Sequence, residues 1–143
     1  MRSSDYGIAD TDRTIEIKEG RGIILMQKNA RDQNNNVIPD VVEEFEVKHV
    51  NKRQELEVPR GFFYALVNTS RDSILVAQHT GRSKEDSSSN NPNNNALKLM
   101  RGFAYRIVAA DSHVCFQLNI KYMEENILKF KSGGIRRFGQ NLD

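Results

Sequence analysis

The sequence predicts an all-β fold, an antiparallel sandwich, barrel or jelly roll, and three observations carry that expectation. Short alternating or continuous apolar runs recur along the chain. Clusters of Asn, Asp and Ser separate several of them, and only one window has a stripe with helical spacing.

The first run is Thr14–Lys18, TIEIK, which alternates apolar and polar residues as a half-buried strand does. GIILMQ follows as a continuous apolar strand, and DQNNN has the chemistry of a turn. In EFEVKHV, Phe45, Val47 and His49 alternate with Glu44, Glu46 and Lys48, and the acids make VVEEFEV read as a solvated outer face. ELEV, FYALVN, SILVAQH, LKLM, AYRIVA and VCFQLNIKY are the remaining strands, with NTSRDS and AADSH as turns. The exception is YMEENILKF, where Met123, Ile127 and Phe130 share one helical face.

These runs define one domain over residues 14–130. Residues 1–13 read as a flexible N-terminal segment, and 131–143, KSGGIRRFGQNLD, as a C-terminal tail. RSKEDSSSNNPNNN, residues 82–95, is polar and low in complexity. It cannot bury enough apolar area to offset its ordering entropy, and reads as a disordered loop within the domain.

A chain of 143 residues suits one domain with a real core. Its 21 basic and 19 acidic residues leave a net charge of +2, which argues against direct nucleic-acid binding by this domain. The single cysteine, Cys115, excludes an internal disulfide and reads as a small core residue in an apolar strand. Without a signal peptide or a membrane-length apolar stretch, the expectation is a soluble, intracellular protein.

The segment closest to a chemical motif is VPRGFFYALVN. Pro59, Gly61, Tyr64 and Asn68 fit P-x-G-x-x-H-x-x-x-N, the centre of the second cupin motif, at every position but the histidine, which is Tyr64 here. In a metal-dependent cupin that histidine is a ligand, and a phenol with a pKa of about 10 is a poor replacement near neutral pH. The first cupin motif would add H-x-H and a glutamate. The preceding segment offers only His49, and His79 and His113 fall at unrelated positions. The expectation is therefore a cupin-type jelly roll with no metal, no cofactor and no catalytic residue.

Phe45 to Gln78 resembles the metal-free cupin domain of centromere protein C. The shared pattern is the Pro-x-Gly turn, the tyrosine, the asparagine and a following apolar strand ending in glutamine, here SILVAQ. Arg53 stands where that pattern has a glycine, and the chain continues well past Gln78. The resemblance implies a non-enzymatic homodimerisation and protein-binding module of a centromere or kinetochore scaffold in the nucleus. Its implied partners are a second copy, other centromere or kinetochore proteins and a histone-deposition factor, with no membrane involved.

LEVPRGFFYALV and LKLMRGFAYRIV echo each other without gaps, sharing Leu, Arg, Gly, Phe, Tyr and Val. Gly61 and Gly102 would supply the turn conformation, and Arg60 and Arg101 would cap or solvate the two turns. Phe62, Phe63, Tyr64, Phe103 and Tyr105 gather there, with Phe62 and Tyr64 on one face and Phe63 on the other. They either fill the interior or form a partner-binding surface or dimer seam, where aromatics are favoured anchors. Two other function classes fit the residues. One is a small-molecule-binding or metal-dependent cupin enzyme using His49, Tyr64 and His113. The other is a β-barrel that stacks single-stranded nucleic acid on its aromatics.

Overall fold

The structure is a computed structural model and describes residues 2–8, 13–70, 76–80, 102–110 and 113–139. Its strands are β1 Arg2–Ile8, β2 Arg13–Glu19, β3 Arg21–Arg31, β4 Val37–Asn51, β5 Glu55–Val58 and β6 Phe63–Asn68. They continue with β7 Val76–Thr80, β8 Tyr105–Ala110, β9 His113–Leu118, β10 Phe130–Lys131 and β11 Arg136–Arg137. The predicted all-β class is the observed one.

The strands form three stacked sheets. A central sheet has the order β1-β6-β3-β4-β10, and it is flanked by β5-β2-β7 on one face and β11-β9-β8 on the other. This arrangement explains GIILMQ. Ile24 and Met26 join Ile15, Ile17, Tyr64 and Leu66 in the core beneath the first flanking sheet. Ile23 and Leu25 join Phe45, Val67 and Tyr105 beneath the second. A strand buried on both faces has no polar face to alternate with, so its apolar run is continuous.

The first flanking sheet grows out of the central one. β2 passes through Gly20, at φ 84°, into β3, and β4 turns back through Lys52 and Arg53 into β5. Strands that switch sheets this way make the corners of sandwiches and jelly rolls. Ile17 N–H donates to the Gln54 carbonyl (2.9 Å) and Arg53 N–H to the Ile17 carbonyl (2.7 Å), tying that corner together. The arrangement is jelly-roll or barrel-like, and the described strands do not close into a barrel. Arg53, where the cupin pattern has glycine, adopts φ 73°. It keeps a glycine's backbone shape at a steric cost of about 1 kcal/mol.

The β3–β4 turn is built by Asp32, whose Oδ1 accepts the N–H groups of Asn34 and Asn36, both at 2.9 Å. Such side-chain bonds and the left-handed tolerance of asparagine (Asn35, φ 65°) explain why DQNNN was legible as a turn.

Four expectations need correction. Arg2–Ile8, expected to be a flexible segment, pairs antiparallel with β6 at the edge of the central sheet, and Arg13 opens β2. VVEEFEV is not an outer face: Val42, Phe45 and Val47 are fully buried, because the second flanking sheet covers β4. YMEENILKF is not a helical stripe. It contains a three-residue 3-10 turn, Glu124–Asn126, between extended segments. Leu128 N–H donates to the Val42 carbonyl and the Lys129 carbonyl accepts from Phe45 N–H, both at 2.8 Å, so the extended chain satisfies the edge of β4.

The fourth is the tail. Phe130–Lys131 pairs parallel with Phe45–Glu46 of the central sheet, Ile135 is buried, and Arg136–Arg137 pairs parallel with Cys115–Phe116 of the flanking sheet. Residues 130–138 therefore strap one layer to the next. Gly133 permits this, because a Cβ there would lie 2.4 Å from the Val47 carbonyl. The 82–95 loop, the LKLM strand and Arg101 lie outside the described residues. Among the described residues, no helix is long and apolar enough to cross a membrane.

Candidate functional site

The Pro59–Phe62 turn closes with a 3.3 Å bond from Phe62 N–H to the Pro59 carbonyl, and Gly61 supplies φ 92°. From this turn β6 carries Tyr64 into the core between the central and first flanking sheets, where it is 3% exposed. Its hydroxyl oxygen accepts from the Arg13 guanidinium at 3.4 Å, and Arg13 is itself buried. The place of the motif's histidine is thus taken by a phenol that helps solvate a buried cation, which would otherwise be costly. Asn68 ends β6, its Oδ1 accepting Ser70 N–H at 2.8 Å.

Replacing Tyr64 with phenylalanine is expected to leave the fold intact and to lower stability by about 1 kcal/mol, the net worth of one such bond. A urea titration measures this, and outright unfolding would show that the Arg13 contact matters far more than its length suggests.

The aromatic set lies in the interior. Phe62, Phe63 and Tyr105 are buried along with Tyr64, and Phe103 is half-buried against Phe45. Phe62 and Tyr64 face one flanking sheet, while Phe63 packs with Phe103 and Val37 on the other side, as alternation requires. A partner-binding surface or dimer seam of these five rings is therefore corrected to core packing, and four of the five have no open face on which to stack a base.

The sequence echo persists in three dimensions. Gly61 and Gly102 both have positive φ, and each is followed three residues later by a buried tyrosine whose hydroxyl meets a charged group. For Tyr64 that group is cationic Arg13. Tyr105 instead donates to Glu124 Oε2 at 3.4 Å. Burial and then the Glu124 charge hold the Tyr105 phenol above its ordinary pKa, while Arg137, also bonded to Glu124, partly offsets them. The Tyr105 ring stacks on Phe130 (4.3 Å, 19°) and meets Phe45 and Phe116 edge-on at 5.2 and 5.5 Å.

Of the residues named for the alternative metal-dependent reading, His49 and His113 lie together and Tyr64 lies apart. His49 and His113 line one open cleft of about 500 Å³ where the central sheet, β9 and the strap meet. Tyr64 is on the opposite face of the central sheet, so the three do not converge. His79 lies in β7, paired with Ile15. No three His, Cys, Asp or Glu side chains gather among the described residues. Cys115 is half-buried in β9.

Arg21, Asn51, Thr69 and Arg136 complete the polar lining of the cleft, with Val114 and Ile135 among its apolar parts. Sequence reasoning named the two histidines and read Arg136 only as part of a C-terminal tail. Arg21 carried no signal, because it belongs to the cleft only through the stacking of distant strands. Comparison with family models, curated proteins and solved structures finds no match for this chain.

Proposed function

We propose that this chain is a non-enzymatic interaction module that pairs with a second copy of itself. The observation that supports this most is β8. Tyr105–Ala110, YRIVAA, is the outermost strand of its sheet and among the described residues pairs only with β9. It has no Lys, Asp, Glu or Pro, the residues that usually blunt an edge. Arg106, its one charged residue, is engaged by Gln117 Oε1 of β9 at 2.7 and 3.0 Å. Such an edge is a template for another strand, and two copies of β8 related by a two-fold axis give a self-complementary interface. The segment after β9 adds exposed apolar side chains, with Ile120 at 96% and Leu128 at 65% exposure.

The turn residues Pro59, Gly61, Tyr64 and Asn68 support a placement of the module in a nuclear centromere scaffold. Dimerisation there raises the effective concentration of binding motifs carried elsewhere on the parent chain, for kinetochore proteins or a histone-deposition factor.

Light scattering over a dilution series tests the pairing. The expected mass is twice the 16.4 kDa of one chain. Ala109→Lys adds a charge at an exposed position of β8 and is expected to return the mass to one chain without unfolding it. A monomer at every concentration of the unaltered protein would overturn the proposal.

A further inference from the structure

The cleft between the layers is unusual in its charge. The whole chain is nearly balanced, yet among the described residues the lining holds two arginines and two histidines and no Asp or Glu. Five cations outside the cleft have acidic partners: Lys18 with Glu16, Lys28 with Glu43, Lys52 with Glu19, Lys131 with Glu44 and Arg137 with Glu124. Arg137 is the instructive neighbour, because strand alternation sends it to Glu124 and Arg136 to the cleft. Among the described residues, the side chains of Arg21, Arg136, His49 and His113 make no hydrogen bond or ion pair.

The cleft is held by backbone on both sides. Arg21 N–H donates to the Ser70 hydroxyl (3.1 Å), and that hydroxyl and Thr69 N–H donate back to the Arg21 carbonyl at 3.2 and 3.3 Å. On the other wall, the Ser132–Ile135 turn closes with a 2.9 Å bond, and Gly133 seats it against β4. These anchors fix where the two guanidinium stems start, one on β3 and one on β11.

From this geometry we infer that the cleft binds a small organic oxyanion, a molecule bearing phosphate or several carboxylates. The guanidinium groups match the paired oxygens of either anion, and the imidazoles and the Asn51 amide add donors. A concave site lined by one sign of charge also concentrates the opposite charge. The volume of about 500 Å³ suits a ligand of nucleotide or tricarboxylate size better than a lone inorganic ion.

The test is an amide chemical-shift titration of the isotopically labelled full chain with inorganic phosphate, pyrophosphate, AMP, citrate and single-stranded oligonucleotides of increasing length. The expected result is a saturable response centred on Arg21, His49, His113, Gly134 and Arg136, with AMP or citrate binding more tightly than inorganic phosphate. The preferred probe identifies the ligand as a phosphate ester or a polycarboxylate. Arg21→Ala combined with Arg136→Ala is expected to weaken binding at least about tenfold, one lost charged hydrogen bond or more. Lys18→Ala, at a residue outside the cleft, leaves it unchanged. Three results would overturn the inference: no saturable response to any probe, undiminished binding in the double variant, or affinity for oligonucleotides that rises with their length and exceeds that for AMP.

Discussion

Alanine in place of Phe45 is expected to lower stability by about 3–5 kcal/mol, the usual cost of deleting a buried ring whose surroundings cannot collapse. Phe45 is fully buried, and its ring meets Phe103, Tyr105 and Phe130 at 6.3, 5.2 and 6.0 Å. Those partners come from β8, the segment before it and β10, so one side chain on the central sheet organises much of the second core. The loss is read from the shift of a denaturant unfolding curve. Hydrogen exchange locates it, with protection in β8 and β9 falling more than protection in β2 and β5. A cost below about 1 kcal/mol, at the level of a tolerant surface site, would mean that the second flanking sheet does not pack on β4 as described.

Gln27→Leu is expected to cost about 3 kcal/mol through a different mechanism. Gln27 is fully buried in β3, its Nε2 donating to Asn29 Oδ1 (2.7 Å) and to the Tyr122 hydroxyl (3.4 Å), while its Oε1 accepts Ala104 N–H (2.8 Å). Tyr122 in turn donates to the Gly102 carbonyl at 2.5 Å. Asn29 spans an irregularity of the β3–β4 ladder, donating to the carbonyls of Ile38 and Val41 at 3.0 and 3.2 Å beside Pro39, which has no N–H to offer. Leucine would fill the space but leave the Ala104 N–H and Asn29 Oδ1 buried without this partner, at about 1–3 kcal/mol each. The thermal midpoint should fall, and amide exchange at Ala104 should accelerate. An unchanged midpoint would show that the network is not holding residues 102–105 to the central sheet.

How much of this could be read from the sequence depended on how far apart the interacting residues lie. Alternation and turn chemistry are local, so TIEIK, ELEV and DQNNN were legible, as was the opposite facing of Phe62 and Phe63. Layering is not local. Nothing within VVEEFEV says that a second sheet, formed more than fifty residues later, covers Phe45 and Val47. The glycine pair in KSGGIRRFG reads as flexible by composition, although Gly133 is there because the backbone of β4 comes too close for a side chain. The same reasoning separates the two parts of the site. His49 and His113 were visible as residue types, but only the stacked sheets bring them together with Arg21 and Arg136, and Tyr64 stood out in the motif while serving the opposite core.

The strap of residues 130–138 also orders events in time. Its parallel pairing with β4 joins segments far apart in the chain, and long-range contacts of that kind form slowly because loop closure comes before their reward. During synthesis, β2 to β7 can assemble the first core while the later strands do not yet exist. Until the strap has emerged, the apolar face formed by Ile23, Leu25, Phe45 and Val47 has no complete cover. The newly made protein therefore passes through an interval in which this apolar face is open to chaperones, or to neighbouring chains.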